Sequence, residues 1–141
     1  MSATYPAVIP MIAYEDCAAA IAWLEEAFGF RERKEMRYTD KDGAVAHAEM
    51  EAGDGLIMLA TPTKEYESPL HHREHCEAAA KWSKAPWVID GVLVHVADIE
   101  SHYERAKKAG ANMLSELQRT ENGVLYRVED LEGHRWMFSQ G

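Results

Sequence analysis

Cysteines, basic residues and long apolar runs are all scarce in this chain. Only Cys17 and Cys76 occur in 141 residues, far apart and in no metal or redox spacing, which excludes a disulfide framework and a CxxC pair. Lys and Arg total 15 against 24 Asp and Glu, for a net charge of −9. Nucleic acid is thereby excluded as a partner, because its phosphates demand positive charge. The same balance suits a cationic small molecule, or is simply a solubility device. No run approaches the length of a membrane span. The opening "MSATYPAVIPMIAYED" lacks a basic segment followed by an apolar stretch, so no signal peptide is read. A cytoplasmic protein with no membrane association is the expectation. No Ser–His–Asp order and no phosphate-cradling Gly loop occurs.

What is present is a globular composition, with 47% hydrophobic residues. This length suits one compact domain and is short for two. Apolar period and caps predict two helices. Asp16 caps "CAAAIAWLEEAF", where Cys17, Ile21, Leu24 and Phe28 form one stripe and Gly29 ends it. Asp98 caps "IESHYERAKKA", with Ile99, Tyr103 and Ala106 on one side and Gly110 at the end. A strand-like run precedes each helix, "AVIPMIAY" and "GVLVHVA". After each come a charged strand, a turn and two more strands, with "KDGAV" and "ENGVL" as hairpin signals.

One half laid on the other keeps a nearly constant offset: Asp16 on Asp98, Gly43 on Gly123, Glu49 on Glu129, Gly53 on Gly133. The chain therefore reads as an α+β domain of two tandem βαβββ modules. Their strands form a curved mixed sheet around a cleft, with the helices on the outer face. The modules span about residues 5–62 and 91–141 of a single domain covering 1–141. Residues 63–90 between them read as a loop with a short helix from Glu74 to Trp82.

Three stretches in the right order carry a resemblance: "YEDCAAAIAWLEEAFGF", "VADIESHYERAKKAGA" and "YRVEDLEGHRWMF". Together the modules resemble the vicinal oxygen chelate superfamily, which includes glyoxalase I, extradiol dioxygenases, and fosfomycin- and bleomycin-resistance proteins. The third stretch is similar to that family's closing Asp-Pro-x-Gly turn, with Leu131 in place of Pro. In metal-dependent members, His or Gln on the first strand and Glu on the last strand of each module hold the ion. Counting from Asp16 and Asp98, and from the turn glycines, the matching positions are Ile9, Ile57, Gly91 and Met137; their neighbours Leu59, Trp136 and Phe138 offer no ligand either. Met is a soft donor, unsuited to the usual divalent ions. The resemblance thus implies the metal-free, bleomycin-resistance-like branch, with no cofactor, no catalytic residue and no metal. A homodimer there holds an aromatic or amphipathic small molecule in aromatic-lined crevices.

Strand alternation places Leu93 and His95 on the cleft face with Gly91, and Met137 with Ser139 beside them. Met11, Ile57 and Leu59 complete the expected floor, largely apolar with acidic residues at its rim. Trp82, Trp87 and Tyr66 are large aromatics in an otherwise polar connection, and they require burial at the cleft, as a lid, or at a dimer contact. The expected function is sequestration of a ligand, cationic or neutral, as in drug resistance. The alternative is a metal-dependent lyase, isomerase or dioxygenase with an unorthodox site. It would draw on His47, Glu49, His95 and Glu129, or on His95 as a base. In "LHHREHC", His71 with His75, or His72 with Cys76, has the i,i+4 spacing of a metal clamp, or simply marks a solvated helix.

Overall fold

The computed structural model describes residues 5–87 and 90–141. The first module runs through β1 (Met11–Ala13), α1 (Cys17–Phe28), β2 (Arg31–Glu32), β3 (Tyr38–Thr39), β4 (Val45–Ala52) and β5 (Gly55–Ala60). The connection holds α2 (Pro69–His75) and α3 (Glu77–Trp82). The second module repeats the first with β6 (Gly91–His95), α4 (Ile99–Lys108), β7 (Asn112–Met113), β8 (Gln118–Thr120), β9 (Gly123–Glu129) and β10 (Arg135–Gln140). None of these helices is long and apolar enough to cross a membrane.

Each module builds its own mixed five-stranded sheet, in the orders β1-β5-β4-β2 and β6-β10-β9-β7, with β3 and β8 added along β4 and β9. The charged strand expected after each helix is split in two. A 3-10 turn at Lys34–Met36 divides β2 from β3, and residues 114–117 divide β7 from β8. First strands run parallel to last ones, with Met11 beside Met58 and Gly91 beside Arg135.

Both main helices begin as the sequence indicates. The Asp16 and Asp98 carboxylates accept from the backbone N–H groups of Ala19 and Ser101. Gly29, at φ 70°, ends α1 in the left-handed conformation that glycine tolerates best. Asp16→Ala or Asp98→Ala should each lower stability by about 1 kcal/mol in urea unfolding. The helix expected from Glu74 to Trp82 is instead two helices. Ser68 caps the first and Pro69 opens it, while Cys76 adopts an extended conformation (φ −121°, ψ 107°) that breaks the run.

α1 packs against α4, and one core joins the two modules. Phe28 is the hinge of that core. Its ring lies 5.6 Å from Phe30, 5.6 Å from Trp136 and 4.8 Å from Phe138, so a module 1 helix is packed against module 2's last strand. Burying side chains of this size stabilises the fold by roughly 1.5–3 kcal/mol each. The "DLEGH" turn between β9 and β10 adds polar ties. Tyr14 Oη donates to Asp130 Oδ2 at 2.6 Å, and Glu132 accepts the backbone N–H groups of Glu15 (2.7 Å) and Asp16 (3.0 Å). Leu70 at the start of α2 donates its N–H to Glu132 O at 3.0 Å. This turn is a fastening point for both modules and the connection.

Candidate ligand-binding site

With one face of each sheet spent on the core, strand period assigns the other to the outside. In module 2, Trp136, Phe138, Tyr126 and Val128 point into the core. The alternating residues Arg135, Met137 and Ser139 pair with Gly91, Leu93 and His95 on one side, and with Glu129, Arg127 and Leu125 on the other. Leu93, His95, Met137 and Ser139 therefore share one open face.

Glu129 anchors that face. Its carboxylate is 1% exposed and takes both Arg73 guanidinium nitrogens (2.7 and 2.9 Å), Asn112 Nδ2 (2.8 Å) and Arg135 Nε (2.9 Å). Burial pushes its pKa up, but the hydrogen bonds from Arg73 and Asn112 and the Arg73 charge outweigh burial and hold the carboxyl below its ordinary range. Arg135 turns its other two nitrogens to Ala85 O (2.7 Å) and Ser83 O (2.6 Å). The clamp thus ties the inter-module segment to the sheet through Ser83 and Ala85, just before Trp87.

Between segment and sheet lies a hollow of about 280 Å³, lined by Trp87, Leu93, Met137, Leu114, Arg127 and Arg135 among others. Trp87 is 71% exposed and Leu93 is 49% exposed. Its floor is more polar than expected, because two guanidinium groups interrupt the apolar residues. Among the described residues the Arg127 side chain has no hydrogen-bonding or ion-pair partner, whereas Arg135 is fully engaged.

The remaining expected residues are spread over neighbouring hollows. His95 and Leu93 border one of about 380 Å³ with Val8, Pro10 and Asp54. Met11, 82% exposed, borders another of about 380 Å³ beside Tyr66, Asp90 and His134. Trp82 lies elsewhere, in a hollow with Tyr66 and His72. Ser139 is half-buried beside His95. Ile57 and Leu59 are the corrections: both are 1% exposed and belong to the core, although Ile57 reaches the back of the hollow beside His95. Met58 holds the outward position instead, opposite Glu49.

Glu49 occupies the place in module 1 that Glu129 has in module 2. It accepts from His47 Nε2 at 2.9 Å and Tyr5 Oη at 3.3 Å, and Arg33 stands 3.8 Å away. His47, Glu49, His95 and Glu129 do not assemble into one site: the first two pair on one sheet, and Glu129 is consumed by its clamp on the other. Among the described residues no three His, Cys, Asp or Glu side chains gather as a metal site. His71 Nδ1 instead meets Glu15 at 2.6 Å, and His75 pairs with Glu67. Sequence reading missed Arg73, Arg127 and Arg135. Arg127 could have been found, since alternation from Glu129 puts it on the same face; the partner of Arg73 lies across a long-range contact.

Residues 8–138 match the family described as the Glyoxalase/Bleomycin resistance protein/Dioxygenase superfamily. The chain belongs to this superfamily. Among solved structures, TioX from Micromonospora sp. ML1 is 30% identical over 96% of each chain, with a TM-score of 0.69. A bleomycin-binding protein from bleomycin-producing Streptomyces verticillus, complexed with copper(II)-bleomycin, is 16% identical over 99% of each chain (TM-score 0.59). Fosfomycin resistance protein FosX from Listeria monocytogenes is 12% identical, covering 99% of this chain and 95% of its own, with a TM-score of 0.63. The last two share the fold. Comparison with curated proteins gave no match.

Proposed function

We propose that this member of the superfamily binds a flat or amphipathic small molecule between Trp87 and the open face of module 2, and holds it without chemistry. The observation that carries this reading is Trp87 itself: a largely exposed indole held over a floor of Leu93, Met137 and Arg127. An apolar hollow with a few directed polar groups is the usual makeup of a small-molecule site. Arg127 offers an uncommitted guanidinium, which stacks on a ring or donates to a carbonyl or anionic group. Among the described residues Asp90 is the only carboxylate lining that hollow, so an acceptor-bearing aromatic suits it better than a cation.

The superfamily's enzymes hold a divalent ion at the outward positions of the first and last strands. Counting along the sequence put Ile9, Ile57, Gly91 and Met137 there; by the register of the sheets the positions carry Met11, Met58, Gly91 and Arg135, with Leu93 and Met137 one step along and His95 the one imidazole further along β6. A guanidinium, thioethers and a glycine do not fit a hard divalent ion. This supports binding independent of metal. The partner is a second copy of the chain, covering the outward Val8 (81% exposed) and Met11; light scattering at working concentration checks that dimer.

The binding test is a fluorescence titration against planar aromatic compounds of each charge. A saturating ligand should lose roughly two- to tenfold in affinity with Trp87→Ala, the weight of one aromatic stack. Its affinity should stay unchanged in the presence of a chelator. The reading fails if no compound saturates the signal, or if a chelator abolishes binding.

A further inference from the structure

A hollow of about 630 Å³ lies not on either sheet face but within the inter-module segment. Tyr66, His72, Trp82, Glu67 and Asp90 border it, together with Pro69, Ala79 and Ser83. We propose that it is a second ligand site, adjoining the module 2 hollow at Asp90 but lined otherwise by different residues, and that it takes an organic cation of the alkylammonium type.

Shape is the first argument. Trp82 is 44% exposed at the end of α3, and its ring lies 6.4 Å from that of His72 at an interplanar angle of 58°. The two rings meet at an angle rather than stacking, and Tyr66 joins them in lining the hollow. Aromatic faces arranged around a space attract cations through the negative face of the ring quadrupole.

Charge is the second argument, and it is independent of the first. Among the described residues no Lys or Arg lines this hollow, in contrast to the Arg127 and Arg135 of the other. Asp90 has no hydrogen-bonding or ion-pair partner among the described residues, while Glu67 pairs with His75. Further carboxylates act on Tyr66, of which Glu15 pairs with His71 while Glu132 and Asp130 have neutral partners. Glu132 is met by backbone N–H groups, and Asp130 by Tyr14, Trp136 and backbone N–H groups. Neutral donors satisfy lone pairs without cancelling charge, so the negative field persists. The Tyr66 phenol registers it: burial first, then Glu132, Glu15 and Asp130, push its pKa up to about 12. The acidic balance of the whole chain therefore finds its local expression here.

The test uses the full chain at pH 8 and constant ionic strength. Choline is titrated while tryptophan fluorescence and the indole N–H resonances are followed. Its uncharged carbon isostere, 3,3-dimethylbutan-1-ol, serves as the comparison. Choline should bind saturably and shift the Trp82 resonance, and the isostere should bind at least about tenfold more weakly. Trp82→Ala, a change at a half-exposed helix end, should weaken choline by about tenfold, and Asp90→Asn by roughly threefold. Trp87→Ala reports on the other hollow. The proposal is overturned if choline fails to saturate or the isostere binds equally well. It is also overturned if choline binding survives Trp82→Ala and is lost with Trp87→Ala, since the cation would then occupy the module 2 hollow.

Discussion

Glu129→Ala is expected to lower the unfolding free energy by about 3–5 kcal/mol, because a buried ion pair broken on one side leaves an uncompensated charge. The charge left behind is Arg135, whose side chain is 4% exposed. It would keep its bonds to Ser83 and Ala85 but lose its counter-charge, while Arg73 and Asn112 would lose their acceptor. For a chain of this size the drop corresponds to roughly 10 °C in Tm. Arg31→Ala is the control, since its 3.4 Å pair with Glu51 is 80% exposed on the Arg side and should change stability by less than about 0.5 kcal/mol. Urea unfolding of both variants checks the contrast, and a loss under about 1 kcal/mol for Glu129→Ala would show that the clamp does not hold the segment.

The pH dependence of the same group has a definite sign. Glu129 is held below its ordinary pKa, so the native state binds fewer protons there than the unfolded chain. Its contribution is fully present above about pH 4.3 and is lost as pH falls through the lower folded value. Glu129→Gln should therefore flatten the acid limb of Tm against pH. Trp87 emission should become more solvent-like in Glu129→Ala, since Ser83 and Ala85 are tied to the sheet only through Arg135 in this network.

Asp130→Ala is the second large effect, about 3–4 kcal/mol, because several buried donors lose their acceptor together. Tyr14 Oη and Trp136 Nε1 (3.1 Å) share Oδ2, and the backbone N–H groups of Glu132 and His134 share Oδ1 at 3.0 Å each. All four partners donate, the pattern of an ionised carboxylate. Burial nevertheless pushes the Asp130 pKa up. Its linkage runs opposite to that of Glu129: the native state gains stability as pH falls from the raised folded value toward the ordinary one, and Asp130→Asn removes that gain. Tyr14→Phe deletes only the bond that crosses between modules and should cost about 1–2 kcal/mol. A double-mutant cycle of Tyr14→Phe with Asp130→Ala should show coupling of about 1 kcal/mol or more. Strict additivity would mean that this bond does not join the modules.

Much of the architecture was open to a reading of residues alone. Helix caps, the glycine ends and the repeated order of elements are local signals, set by hydrogen bonding and backbone sterics within a few residues. Strand alternation likewise placed Leu93, His95, Met137 and Ser139 on one face. The same logic failed at Ile57 because the two final hairpins differ. β4 and β5 meet across Gly53 and Asp54, with Ala52 paired to Gly55, whereas β9 and β10 are joined by residues 130–134. Aligning Gly53 with Gly133 therefore shifts the partner of Glu49 by an odd number of residues, and a strand shifted so presents its opposite face. Met58 looks outward and Ile57 inward for that reason.

What the sequence by itself determined is the duplicated α+β module and its helices. Those properties depend on period, caps and residue chemistry, which are local. Tertiary structure alone decided how the polar residues are spent. Glu129 is fully committed by Arg73 from a distant helix and by Arg135, while Arg127 on the same strand face is left without a partner among the described residues. The tryptophans of the connection, alike as sequence features, are separated into a hollow with guanidinium groups and a hollow with carboxylates. Charge pairing acts through space between residues far apart in the chain, so no spacing rule announces it.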